Sequence, residues 1–475
     1  MIGSREKLLC GKECPFSMIP SLRELDMRHI LHPTSPLADH YKQGPLVTME
    51  RGEGIYLYDT DGKRYIDGLS SLWNVNVGHG RAELAEAAAE QMKKLAFSHA
   101  FNRFTHEPMI RLAAKLADLM PGDLNAVMFT SGGSEANDTA FKIVRHYFKM
   151  IGQPERYKII SRKRAYHGVT MGAASATGIP SFRQMGGPLA EGFFLAETPY
   201  RYRCTACAGA CDGGCSIDSM REIIEREGPQ TVAAVIVEPV QGAGGVIVPP
   251  EGYLRRVREL CDEYGLLMIA DEVITGFGRT GRWFGVMHDD VVPDVLTFAK
   301  GVTSGYVPLG GVAIREPIRR RLAESTPDGY VLPHGFTYSG HPTCCAVALK
   351  NIEIIERERL VDNAERMGFR LLEGLRELQE RSPLVGNVMG KGLIASVELV
   401  RDKESKAPFE ASFKAAARLF QLAMERGLIT RAIMIDGTDI VALCPPLVTN
   451  EKQIGEILEV LERSLAELEK QAASA

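Results

Sequence analysis

The strongest constraint on this chain is a series of short apolar runs in its middle, each followed by polar or charged residues and separated by helical patterns. The runs are Ala126–Phe129, Lys158–Ser161, Val232–Glu238, Leu266–Ala270, Val295–Phe298 and Gly310–Ile314. Several are apolar throughout, where a strand with one wet face would alternate. Ser134–Lys149 and Gly252–Tyr264 between them have the composition and spacing of helices. This order predicts an α/β fold with a mostly parallel, doubly wound sheet of about seven strands. Ligands of such sheets bind beyond the carboxyl ends of the strands.

The two ends of the chain differ from the middle. Ile55–Asp59 and Tyr65–Asp67, joined by Thr60-Asp61-Gly62-Lys63, resemble a hairpin with a glycine turn. Near the C-terminus Ile454, Ile457, Leu458, Leu461, Leu465 and Leu468 recur at helical spacing. The expected division is a large domain over 70–340 and a smaller α+β domain built from 1–69 and 341–475.

With 475 residues the chain can bury a sizeable core. A net charge of -4 points to neither nucleic acid nor an anionic membrane surface. No apolar run approaches the roughly 18 residues of a membrane span. The opening MIGSREKLLC has charges but no apolar stretch behind them, so no signal peptide is read and a cytoplasmic location is expected. Of ten cysteines, Cys10, Cys14, Cys261, Cys344, Cys345 and Cys444 are scattered and read as reduced, mostly buried thiols.

Three strand ends carry chemistry. In Phe129-Thr130-Ser131-Gly132-Gly133-Ser134-Glu135-Ala136 a strand passes through glycines into a helix. Backbone N–H groups, a hydroxyl at Ser134 and the helix dipole suit a phosphate there, although a plain helix cap has the same appearance. Leu266–Ala270 runs into Asp271-Glu272. A carboxylate at the end of a buried strand needs a partner, and a protonated pyridinium nitrogen is a suitable one. A solvated strand end or a metal ligand of a nucleotide enzyme are the alternatives. Val295–Phe298 leads to Ala299-Lys300-Gly301. A partly desolvated lysine has a lowered pKa and becomes nucleophilic toward an aldehyde, whereas an ordinary surface lysine would do nothing.

Together, phosphate loop, carboxylate strand and lysine strand resemble the fold-type I enzymes of pyridoxal 5'-phosphate (PLP). The stretch Asp271-Glu272-Val273-Ile274-Thr275-Gly276-Phe277-Gly278-Arg279-Thr280-Gly281, then Pro293-Asp294 and Lys300-Gly301, resembles the signature of class III aminotransferases, including the 29-residue step from Asp271 to Lys300. The resemblance extends from about residue 30 to 465. It implies that Lys300 holds PLP as a Schiff base and shuttles the proton, and that Asp271 pairs with the pyridinium nitrogen. It also implies that Val273 packs on one ring face and Tyr166, in Tyr166-His167-Gly168, on the other. Gly133 and Ser134 carry over as phosphate ligands. Glu238 of Glu238-Pro239-Val240-Gln241-Gly242 matches the family's strand-end glutamate near the cofactor, which implies a supporting place there. Thr337 of Phe336-Thr337-Tyr338 matches a threonine that reaches the phosphate of a neighbouring subunit, which implies a homodimer or a dimer of dimers.

Ile274 stands where ornithine-type members have glutamine, and isoleucine is typical of the ω-amine:pyruvate branch. Ser70–His79 resembles that branch's substrate-pocket segment, with Trp73 as a pocket wall or, alternatively, an interface core residue. The segments around Ile429-Thr430-Arg431-Ala432 and Cys444-Pro445-Pro446 resemble the part that bears a mobile arginine. Arg431 would bind an acceptor carboxylate in a bidentate fork, or be a surface ion pair. The implied reaction moves an amino group from a primary amine, diamine, β-amino acid or taurine to pyruvate. Alternatives are 2-oxoglutarate as acceptor, an aminomutase on the same scaffold, and a PLP-fold regulator without activity.

Cys204-x2-Cys207-x3-Cys211-x3-Cys215 forms a cluster outside this scheme. Four thiolates can hold zinc, but the spacing has only one Cys-x2-Cys pair, so plain loop thiols or a disulfide is the favoured reading and a structural metal the lesser one.

Overall fold

The computed structural model describes residues 20–207 and 211–474; Cys10, Cys14 and the opening segment considered for a signal lie outside them. A seven-stranded sheet occupies the middle of the chain. Its strands are β1 (Leu124–Thr130), β2 (Lys158–Arg162), β3 (Phe193–Ala196), β4 (Val232–Val237), β5 (Leu267–Asp271), β6 (Val295–Phe298) and β7 (Gly310–Arg315). Their order is β1-β7-β6-β5-β4-β2-β3. Only β7 runs against its neighbours; the other strands point the same way.

Burial on both faces explains the unbroken apolar runs. Every residue of β4 and of β6 is buried, including Val235, Ile236 and Leu296. Each fully buried Val, Leu or Ile contributes roughly 1.5–3 kcal/mol. The helix Gly133–Met150 covers β6 and β7 with Ala136, Ala140, Phe141, Val144 and Phe148 inward, as helical spacing predicts. Six of the strands coincide with the sequence runs. The seventh, β3, was not anticipated: it is a four-residue edge strand, mostly half-buried, with too short an apolar run to stand out.

A second, antiparallel sheet has the order Val385–Gly390, Ala395–Leu399, Thr438–Leu443, Arg431–Ile435. The helix Leu360–Arg381 packs on it and on the helix Glu451–Ala473, whose buried Ile454, Ile457, Leu461, Leu465 and Leu468 are the forecast stripe. Strands Tyr56–Asp59 and Arg64–Asp67 occupy the expected hairpin, with Gly62 at φ +81° in its turn. Ile66 and Asp67 pair in parallel with Leu428 and Ile429.

By its contacts the chain forms two units, Met1–Arg51 with Tyr58–Lys63, and Gly52–Leu57 with Arg64–Ala475. The first includes the helix Leu22–His29, opened by a capping box of Ser21 and Glu24. The second holds both sheets just described. No helix among the described residues is long and apolar enough to cross a membrane.

Candidate active site

The singled-out residues of the large sheet gather at one edge, because β1, β2, β4, β5 and β6 all end there. β1 delivers Gly133 and Ser134 to the start of an 18-residue helix. The Glu135 carboxylate accepts from the Ser131 N–H at 2.8 Å and closes the turn, leaving other first-turn N–H groups for an anion. Room is tight by design: a Cβ on Gly133 would lie 2.9 Å from Val273 Cγ1. One on Gly168, at φ +123°, would lie 2.4 Å from Ser134 Oγ. Ser134 Oγ accepts from the Val169 N–H at 3.1 Å, which ties the Tyr166-His167-Gly168 loop to the phosphate turn and leaves the hydroxyl proton free to donate.

Asp271 ends β5 and is 3% exposed. Its Oδ2 accepts from Asn137 Nδ2 at 2.8 Å and faces His167 Nδ1 at 2.8 Å; its Oδ1 accepts from the Val273 N–H at 3.1 Å. Asn137 is itself fixed, since its Nδ2 also donates to the His167 carbonyl and its Oδ1 accepts from Thr297 Oγ1 at 2.8 Å. A buried carboxylate with this many donors is held in one orientation and can serve a cation. Asn137 and Thr297 carried no expectation. Asn137 falls one helical turn after Gly133, on the inward face, and that spacing is the signal that could have found it.

Lys300 follows β6 in a short turn, Lys300–Val302, with φ +47°. Such a backbone costs of order 1–3 kcal/mol and must be held by its surroundings. Asn351 Nδ2 holds it, donating to the Gly301 and Val302 carbonyls at 2.9 and 3.0 Å. Gly301 is required, because a Cβ there would meet Asn76 Nδ2 at 2.6 Å. The Lys300 amine has no hydrogen bond or ion pair among the described residues. Burial pushes its pKa down to about 8, against Asp271 and Glu238, which favour the charge, and with Arg431, which opposes it. The neutral amine is the nucleophile. Capture of PLP by the apo-enzyme is therefore expected to accelerate with pH and level off above a midpoint near 8, read by stopped-flow absorbance. A midpoint near the ordinary lysine value of about 10.4 would contradict the burial.

Glu238, just past β4, is buried; its Oε1 accepts from the Tyr166 N–H at 3.0 Å and its Oε2 from the Gly242 N–H at 3.1 Å. It thus shapes the loop that carries Tyr166, and burial raises its pKa to about 7. Tyr166 is half-buried, its ring edge-on to Phe182 at 5.2 Å. Ile274 packs with Leu69, Trp73, Val240 and Cys444 in one apolar cluster. Trp73 is 2% exposed and lies in a turn where Ser70, Ser71 and Trp73 all have positive φ. Arg279 braces that turn: its guanidinium donates to Ser70 Oγ, Asn76 Oδ1 and the Leu393 and Pro445 carbonyls. This bracing role of a signature arginine was not foreseen. Arg431 begins its strand half-buried, close enough to Tyr166 and Lys300 to affect their charge, and its guanidinium has no carboxylate partner among the described residues. Thr337 stands apart, exposed on the surface of the chain.

A half-buried amine without a hydrogen bond among the described residues, a fixed buried carboxylate and a helix N-terminus kept open by glycine fit the three handles of PLP: aldehyde, ring nitrogen and phosphate. Comparison with known proteins agrees. The family profile "Aminotransferase class-III" matches residues 37–465. A crystal structure of a transaminase from the marine bacterium Virgibacillus is 52% identical, with a TM-score of 0.92 over 95% of this chain and 100% of that one. An (S)-enantioselective omega-transaminase from Thermomicrobium roseum is 48% identical, with a TM-score of 0.89 over 94% and 98%. The putrescine–pyruvate aminotransferase of Pseudomonas aeruginosa is 38% identical, covering 93% of this chain and 95% of its own. The diaminobutyrate–2-oxoglutarate transaminase of Halomonas elongata is also 38% identical, covering 94% and 95%. The chain belongs to the class III aminotransferases, PLP-dependent enzymes that move amino groups between amines and carbonyl acceptors.

Proposed function

We propose that this enzyme passes an amino group from a primary amine to pyruvate. The observation that carries the reading is Arg431, a half-buried guanidinium beside Tyr166 and Lys300 with no carboxylate partner among the described residues. A buried cation without a partner is costly unless a ligand supplies the anion, and a keto-acid carboxylate matches its fork. Ile274 and Trp73, packed together, support the amine:pyruvate branch, and a relative at 38% identity is a putrescine–pyruvate aminotransferase. A relative at the same identity uses 2-oxoglutarate, so the acceptor is the point to test. Exposed Thr337 supports a homodimer in which each chain contributes to its partner's phosphate site; sedimentation as a monomer would refute that part.

When bound, PLP supplies an aldehyde to take the amino group and an electron-poor ring that acidifies the carbon bearing it. Lys300 Nζ, whose pKa burial lowers to about 8, is the group that would hold and move the proton at that carbon. Asp271, fixed by Asn137, His167 and the Val273 N–H, is the carboxylate that would pair with the ring nitrogen. Val273 and Tyr166 would hold the ring on its two faces. Arg431 binds the acceptor carboxylate and turns away when a neutral amine enters.

Adding alanine to the PLP-loaded enzyme is expected to bleach its visible absorbance, since alanine is the reverse donor of a pyruvate enzyme. Bleaching by glutamate and not by alanine would reverse the assignment to 2-oxoglutarate. Arg431→Ala is expected to lower kcat/KM for pyruvate roughly 100-fold, the equivalent of about 3 kcal/mol for a charge-assisted pair, while the half-reaction with a neutral amine keeps its rate. Equal losses in both half-reactions would remove Arg431 from carboxylate binding.

A further inference from the structure

We propose that Cys204, Cys207, Cys211 and Cys215 hold a structural zinc ion outside the active site. The sequence spacing favoured plain thiols, and the positions of the sulfurs argue otherwise. All four Sγ atoms lie within 4.8 Å of one another. Cys204 Sγ is 3.6 Å from Cys215 Sγ, and Cys211 Sγ is 3.4 Å from Cys215 Sγ. A disulfide would place two sulfurs at about 2.05 Å. A zinc tetrahedron with Zn–S near 2.3 Å has sulfur–sulfur edges of about 3.8 Å, so the cage is close to metal size. Four sulfurs and no other donor select a single tetrahedral ion with no open position, which is the structural type of zinc site.

The surrounding backbone is built for the purpose. Cys204 follows a short turn, Arg201–Arg203, and Cys215 is the second residue of the 14-residue helix Gly214–Glu227. Gly213, at φ +87°, makes the sharp entry to that helix, and its N–H donates to Cys211 Sγ at 3.4 Å. Backbone donation to a ligand sulfur is the usual support of a thiolate site. Cys211 is only 2% exposed. Arg256, paired with Asp212 at 3.0 Å, pins the residue between Cys211 and Gly213.

The position suggests what the ion does. Immediately before Cys204, Tyr200 and Arg203 both bond the buried carboxylate of Glu398, the Arg203 Nε at 2.6 Å. Arg203 also donates to the Lys406 carbonyl at 2.6 Å. Glu398 lies in Ala395–Leu399, the strand next to Thr438–Leu443, which in turn pairs with the Arg431 strand. The ion would fix the turn that clasps this sheet.

Metal analysis of the PLP-loaded enzyme, purified without a metal-affinity step and dialysed against buffer, is expected to find about one zinc per chain, with ten free thiols after unfolding in chelator without reductant. Cys211→Ser is expected to lose the zinc and to melt at a lower temperature, with the visible PLP absorbance and transamination retained below that temperature. Should that variant fail to fold, a mercurial added to the wild-type enzyme should release about one zinc to a colorimetric chelator. Cys261→Ala, altered at a buried cysteine elsewhere, should keep its zinc. Less than roughly 0.2 zinc per chain, iron in its place, or a shortfall of thiols that marks a disulfide would each overturn the proposal.

Discussion

Lys300→Ala is expected to lower turnover by about 10⁴-fold, the range lost when a positioned proton carrier and nucleophile is removed. The fold should survive. The Lys300 amine makes no hydrogen bond among the described residues, and the turn it sits in is held by Asn351 through the Gly301 and Val302 carbonyls. Truncation also relieves the cost of keeping an amine where burial has lowered its pKa to about 8. The variant should therefore melt near the wild-type temperature and still bind PLP through Asp271 and the Gly133-Ser134 turn. Two measurements read the result: steady-state turnover with an amine and pyruvate, and the intact mass after borohydride treatment, which fixes PLP to the wild-type chain alone. Unchanged turnover, or a PLP adduct on another lysine, would remove Lys300 from the chemistry.

How this lysine could be found without a structure, and why its supports could not, has a physical basis. Lys300, Asp271 and Glu238 each follow an apolar run, and burial of β4, β5 and β6 on both faces makes those runs continuous and their ends conspicuous. The ligand edge of a parallel sheet then follows from chain direction. Thr297 and Asn351 are polar residues within a strand and a helix, where no local pattern separates a buried polar side chain from an exposed one, and Asn137 had only its place one turn after Gly133 to mark it. Their partners lie far along the chain: Asn137 is 134 residues from Asp271, and Asn351 is 50 from Gly301. Arg279 was visible in the signature, but its role depends on Ser70, Asn76, Leu393 and Pro445 meeting at one point. The cysteine cluster shows the same limit in reverse. Its spacing fits no standard pattern, yet the αL turn at Gly213 brings the sulfurs together.

Asp271→Asn separates the two services this carboxylate performs, because it keeps the shape and removes the charge. As an anion Asp271 accepts on both oxygens, from Asn137 and His167 on one side and from the Val273 N–H on the other. An asparagine amide must turn its NH₂ either toward Asn137 and His167 or toward the Val273 N–H, so at least one buried hydrogen bond is lost in either orientation, at about 1–3 kcal/mol each. Activity should suffer far more. Without the anion the ring nitrogen no longer keeps its proton, and removal of one preorganised electrostatic group of this kind costs roughly 10²–10³ in kcat. Asn137→Ala supplies the comparison, since it loses a hydrogen bond to the same oxygen and leaves the charge. It should lower the melting temperature by a similar amount and kcat by only about 10-fold, as loss of a supporting partner does. If the two variants lose equal activity, the orientation of Asp271 and not its charge is what the reaction needs. If Asp271→Asn keeps wild-type kcat, neither matters and the pairing with the ring nitrogen is wrong.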